Sequence, residues 1–205
     1  MGIAASGSAL VVFLLAHLAG LVLAWWDPAG FERYASALHR SAWLPALELA
    51  LLALALVHPA LALAKAVRNR AARGPVPRQP RSRQGKGIAL LPAWAGRLMP
   101  WSGGLSLAFL VVHLAQLRLH RPPAGHELAA VAAVLRQPWW LALYLAAAVA
   151  VALHLLHGAE SAHRRLGLLD PGNARAIRLA GRGVALLVGG GFTLVPLALL
   201  RQAGP

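Results

Sequence analysis

Nine histidines and no cysteine occur among the 205 residues. Four of the histidines, His17, His58, His113 and His154, each fall within a different long apolar run, and His157 follows His154 by three positions. Charged residues at membrane depth cost about 2.5–3.5 kcal/mol on insertion scales, so an ionisable side chain there is a functional candidate. A neutral imidazole can bind a metal, carry a proton or form a hydrogen bond between helices. The absence of cysteine excludes disulfides, thiolate zinc sites, cysteine-ligated iron–sulfur clusters and cysteine nucleophiles. His154, His157, Glu160 and His163 recur every three residues. At helical pitch each step falls back by about 60°, which puts His154 and His163 on opposite faces and excludes a compact four-ligand site on this helix. Glu160 and His163 read as a solvated face, and rotation alone does not choose between His154 and His157.

The elements that must position these residues are membrane helices. The chain is 59% hydrophobic and 13% charged, with a formal net charge of +14. Such basicity could suit nucleic acid, but the charges crowd between apolar runs, so no nucleic-acid partner is expected. A bilayer core needs about 20 apolar residues in a helix. Five segments meet this, at about 3–26, 43–67, 98–119, 138–158 and 180–200. The first has no basic leader and no small-residue cleavage site, so it reads as a helix, not a signal peptide. The predicted fold class is all-α integral membrane: a five-transmembrane-helix bundle forming a single membrane domain over 1–205. Lys and Arg number fourteen in the second-to-third and fourth-to-fifth linkers with their flanks, and six elsewhere. The positive-inside rule then puts the N-terminus in the cytoplasm and the C-terminus outside. The basic cytoplasmic linker 68–97 contains a Pro-, Gly- and Arg-rich stretch, 74–87, expected to lack regular structure. It serves either as an orientation determinant touching anionic lipid or as a docking surface for a cytoplasmic partner.

All four span histidines lie somewhat past the middle of their helices in the direction of chain travel. Successive helices are antiparallel, so His17 and His113 belong to one level and His58 and His154 to another, roughly 10 Å apart at helical rise. Two stacked imidazole pairs in a bundle core are what two bis-His haems require. With both axial positions filled, the implied task is electron transfer. An internal repeat accompanies the pattern: Ser6-Gly7 precedes His17 as Ser102-Gly103 precedes His113, ten residues from Gly to His, and Phe13 matches Phe109. Gly7 and Gly103, with Ser6 and Ser102, are candidate cofactor-packing residues, since a small residue admits a flat macrocycle or a neighbouring helix.

At these residues the chain resembles the five-helix, di-haem cytochrome b subunit of succinate dehydrogenase and fumarate reductase. The resemblance rests on SG-x9-H in the first and third spans, a second-span His before a basic linker, and H-x3-G-x8-G at His154, Gly158 and Gly167. It covers nearly the whole chain and favours His154 over His157. It implies two haem b groups, the distal one held by His17 and His113 and the proximal one by His58 and His154. It also implies a membrane anchor in a bacterial cytoplasmic membrane, bound on the cytoplasmic side to a flavoprotein subunit and an iron–sulfur subunit and exchanging electrons with a quinone, usually menaquinone. The dicarboxylate chemistry would then lie on a partner subunit. Ala152 stands where some fumarate reductases carry a glutamate, so no proton path is predicted there. Pro59, directly after His58, frees a backbone carbonyl near Ala55.

Glu48 and His39, with Glu32 nearby, are the candidates for proton exchange with quinone. Six tryptophans near helix ends (Trp25, Trp26, Trp43, Trp101, Trp139, Trp140) suit an interfacial belt, and Tyr144 is expected either at a haem edge or in core packing. Other di-haem quinone cytochromes of the nitrate-reductase type place two ligands on the last helix, and here the fifth span has no histidine. A transporter or scaffold with hydrogen-bonded intramembrane histidines is the alternative from another class.

Overall fold

The computed structural model describes residues 1–72 and 90–202, with backbone alone over 90–97. Among these residues the structure is all helical. Five helices are long and apolar enough to cross a membrane: α1 (Gly2–Trp26), α3 (Leu44–Ala71), α4 (Leu90–His113), α6 (Pro138–Arg165) and α7 (Ala174–Gln202). α4 continues as a π-helical stretch, Leu114–Leu119, immediately after His113. The spans expected from hydropathy are present, but α3, α6 and α7 reach further than their apolar cores. At 1.5 Å per residue the 28 residues of α6 cover about 42 Å, enough to cross the apolar core and carry Glu160–Arg165 into the headgroup zone. The expectation of irregular structure at 74–87, and most of linker 68–97, lies outside the described residues; 68–71 continue α3.

Two short helices fill connections that sequence reading treats as plain linkers. α2 (Pro28–Arg40) starts where Asp27 accepts a hydrogen bond from the Gly30 N–H at 2.9 Å, with Pro28 in the first turn. It is amphipathic and buries Phe31 and Ala35. α5 (Glu127–Leu135) buries Ala132 and Leu135. Glu32 of α2 caps α5: its carboxylate accepts from the backbone N–H groups of Glu127 (3.2 Å) and Leu128 (2.8 Å). These are the unpaired donors every helix start exposes. α2 and α5 thus cover one end of the bundle, and the Arg-rich ends of α3 and α6 form the other.

The chain folds as a duplicated unit. α1–α2–α3 is matched by α4–α5–α6 at an offset of 96 positions, pairing Phe13 with Phe109, His17 with His113, Trp43 with Trp139 and His58 with His154. α7 has no counterpart and closes the bundle on small residues. A Cβ on Gly181 would meet Ala159 at 2.6 Å, one on Gly189 would meet Ala152 at 2.5 Å, and one on Gly191 would meet Leu18 at 2.5 Å. Close helix approach through small residues is how membrane helices gain dispersion contacts without a hydrophobic driving force. Elsewhere the apolar surface faces outward: none of the most apolar stretch of α3 is buried inside the protein, as lipid contact requires. Trp26, Trp101 and Trp139 are exposed near helix ends, in the manner of an interfacial belt.

Candidate functional site

The bundle brings the four span histidines together in two pairs. The His17 and His113 rings lie 6.0 Å apart, centre to centre, at an interplanar angle of 77°. Those of His58 and His154 lie 6.2 Å apart at 68°. One metal ion between two imidazoles, with metal–nitrogen bonds of about 2 Å and about 1.1 Å from nitrogen to ring centre, sets the rings about 6.2 Å apart. Both pairs have this spacing. Among the described residues no cluster of three or more His, Cys, Asp or Glu could hold a metal ion, so a metal here would need its remaining ligands from a cofactor or solvent.

Hydroxyl groups stand at Nδ1 of three of the four rings. The Ser6 hydroxyl lies 2.8 Å from the Gly2 carbonyl, to which it can donate, and 3.0 Å from His58 Nδ1. Ser102 repeats this with the Met99 carbonyl (3.1 Å) and His154 Nδ1 (3.4 Å). Tyr144 donates to Gln116 Oε1 at 3.2 Å and accepts from His113 Nδ1, also at 3.2 Å. When the hydroxyl donates to its other neighbour it accepts from Nδ1–H, the tautomer that leaves the Nε2 lone pair for a ligand. His17 has no such partner. It is held by stacking on Phe13 (5.5 Å, 14°) and by Phe192 (6.0 Å), and His113 stacks likewise on Phe109 (5.4 Å, 28°).

The Ser-Gly repeat works across helices. Ser6 and Gly7 of α1 do not serve His17 on their own helix. They meet His58 of α3, as Ser102 and Gly103 of α4 meet His154 of α6. A Cβ on Gly7 would come within 3.0 Å of His58 Cε1, and one on Gly103 within 3.3 Å of His154 Cε1, so each glycine makes room for an imidazole. Gly7 also marks the level of His58 on α1, and His17 lies ten residues further along. The two pairs are thus about 15 Å apart along the bundle, more than the rough 10 Å expected from centred spans. The reason is that α1 begins beside Leu61, with Gly2 against its side chain, while α3 runs on to Ala71.

The remaining candidates separate. Glu48 is engaged by Arg118 in a two-point ion pair, Nε to Oε1 at 2.7 Å and Nη2 to Oε2 at 2.8 Å. His39 instead faces Glu127, Nδ1 to Oε1 at 3.5 Å. Burial, and then the hydrogen bond with Glu127, raise the Glu32 carboxyl above its ordinary range. Burial pushes Glu127 up as well, but hydrogen bonds from Glu32, from backbone N–H groups including Gly125 and from His39 outweigh it and hold Glu127 below that range. His157 is half-buried and makes no ring contact with another histidine. Glu160 pairs with Arg164 at 2.7 Å and Arg178 at 3.9 Å, and His163 Nδ1 donates to the Ala159 carbonyl at 2.8 Å.

Sequence reasoning named Tyr144, His39 and Glu32 but missed Gln116, Glu127 and the hydrogen bond between Tyr144 and His113. The 96-position offset was the available signal for Tyr144, which occupies in the second half the place of Glu48 in the first. Comparison with known proteins found no matching family model, no matching curated protein and no matching solved structure.

Proposed function

We propose that the chain is the membrane-anchor cytochrome b subunit of a succinate:quinone oxidoreductase, holding two b haems through His17 with His113 and His58 with His154. The observation that carries this reading is that two imidazole pairs each lie at the centre-to-centre spacing a shared metal would set, and that three of the four rings have a hydroxyl at Nδ1. A hydrogen-bonding scaffold explains one such pair as readily. It gives no reason for two separate pairs to share nearly the same metal-sized spacing, 6.0 and 6.2 Å.

The haems would supply one-electron transfer along the membrane normal between a partner's iron–sulfur centre and membrane quinone, usually menaquinone. The protein's own contribution is orientation. Ser6 and Ser102 hold His58 and His154 by Nδ1, Gly7 and Gly103 clear space beside those rings, and Phe13 and Phe109 clamp His17 and His113 by stacking. Among the described residues no third ligand joins either pair, so a haem held by these histidines would bring its own remaining ligands. Glu48 is tied to Arg118, so the Glu32–Glu127–His39 cluster is the better candidate for proton exchange at the α2–α5 end. In this reading the basic end faces the cytoplasm of a bacterial inner membrane, where the flavoprotein and iron–sulfur subunits dock.

The test is a dithionite-reduced minus oxidised spectrum with a pyridine haemochrome assay on the purified chain. The expected result is two b haems per chain, low-spin and unreactive to carbon monoxide. A folded, monodisperse sample without haem would remove the cytochrome reading and favour a transporter or scaffold.

A further inference from the structure

At the end opposite α2 and α5, a cavity of about 410 Å³ opens between the start of α1 and the ends of α3 and α6. Lys65, Arg68, Asn69 and Arg165 line it, with Leu61 as its apolar wall. Lys65 and Arg165 are half-buried. Arg68 Nε donates to the Ala64 carbonyl and Arg165 Nε to Ser161 Oγ, both at 3.3 Å. Among the described residues no carboxylate pairs with any of the three cations.

The sequence cannot supply one either. Of its six carboxylate side chains, only Glu160 and Asp170 belong to this end. Glu160 is paired with Arg164 and Arg178, and Asp170 accepts from the backbone of Gly172 and Asn173. Residues 73–89 add Arg and Lys but no Asp or Glu. Arg68 and Asn69 are exposed at its rim. Three like charges lining one cavity repel one another, so an external anion would stabilise them. Gly2 and Ile3 of the first turn of α1 also line it, and the backbone N–H groups of a helix start favour an anion.

We propose that this cavity binds the phosphate headgroup of an anionic phospholipid, with Lys65, Arg68 and Arg165 on the phosphate and Asn69 on the headgroup. Basic recesses between helix ends at the membrane surface suit such headgroups. The site does not depend on what the histidine pairs hold.

The test is native mass spectrometry of the full chain extracted from membranes containing phosphatidylglycerol and phosphatidylcholine, with thermal melts on adding each lipid. The wild type should retain one phosphatidylglycerol and be stabilised by that lipid over phosphatidylcholine. Lys65→Gln/Arg68→Gln/Arg165→Gln should weaken this retention about a hundredfold. Arg175→Gln/Arg182→Gln/Arg201→Gln, an equal loss of charge outside the cavity, should not. The charge-keeping variant Lys65→Arg/Arg68→Lys/Arg165→Lys should restore retention and also controls for folding. Equal retention of the two lipids, or equal losses in both glutamine variants, would overturn the proposal. So would a cavity variant that keeps its lipid and loses a visible chromophore, since the cations would then be serving a cofactor's carboxylates.

Discussion

At the His58–His154 pair, each imidazole leans on a serine and fits beside a glycine of the preceding span, and the two halves of the protein do this in the same way. At the His17–His113 pair the halves have diverged. His113 is held through Nδ1 by Tyr144, which passes its proton to Gln116 at the start of the π-helical stretch. His17 is flanked instead by the rings of Phe13 and Phe192. One duplicated frame thus supports a symmetric polar setting at one level and an asymmetric one at the other. A hydrogen bond from Nδ1–H makes an imidazole a stronger donor to a metal, so if the two pairs hold haems as proposed, the difference would give the two centres different potentials.

The largest expected effect breaks the symmetric pair alone. Gly7→Val or Gly103→Val forces a side chain into the space of His58 or His154. The expected cost is about 1–3 kcal/mol of overpacking, together with loss of the centre at that pair. Gly7 should be the more sensitive, because its Cβ would stand 3.0 Å from the ring against 3.3 Å at Gly103. Gly104→Val, with open space around it, is the control. Haem per chain and melting temperature read the result, and equal damage from all three would remove the link to the histidines.

A smaller effect sharpens the contrast. Tyr144→Phe removes the acceptor from His113 and should raise the potential of that centre by about 40 mV, the equivalent of one hydrogen bond of about 1 kcal/mol. The paired change Ser6→Ala/Ser102→Ala should raise only the other centre. Redox titration followed optically separates the two, and a shift in the wrong centre would contradict the assignment of braces.

The smallest effect concerns the covered end. Glu32 is raised from its ordinary value of 4.5, so its contribution is full below pH 4.5 and is lost as pH rises through the raised value. Glu127 is lowered from the same value, so its contribution holds above pH 4.5 and is lost as pH falls through the lowered one. Amide exchange at Glu127 and Leu128 should therefore be slowest between the two values and accelerate on either side. Glu32→Gln should flatten the alkaline limb and leave the acid one.

The five spans were legible because bilayer thickness imposes a length and composition that hydropathy reads directly. The histidine partners were legible because antiparallel spans turn sequence position into depth. What served each histidine was not. Ser6 sits eleven residues before His17 and 52 before His58, and only the packing of α1 on α3 shows that the second separation is the one that matters. The helices α2 and α5 escaped because their lengths, 13 and 9 residues, are too short to span. Glu32 could not be read as a cap, since the N–H groups it satisfies lie 95 and 96 positions away. Glu48 looked free for proton exchange because its partner Arg118 lies 70 positions away on the π-helical stretch.

Haem content in double histidine variants tests the two-pair arrangement most directly. His17→Ala/His113→Ala and His58→Ala/His154→Ala should each leave one b haem per folded chain, whereas His17→Ala/His58→Ala should leave none. Loss of both haems from a within-pair double variant, or survival of one in the cross-pair variant, would contradict the pairing on which the electron-transfer reading stands.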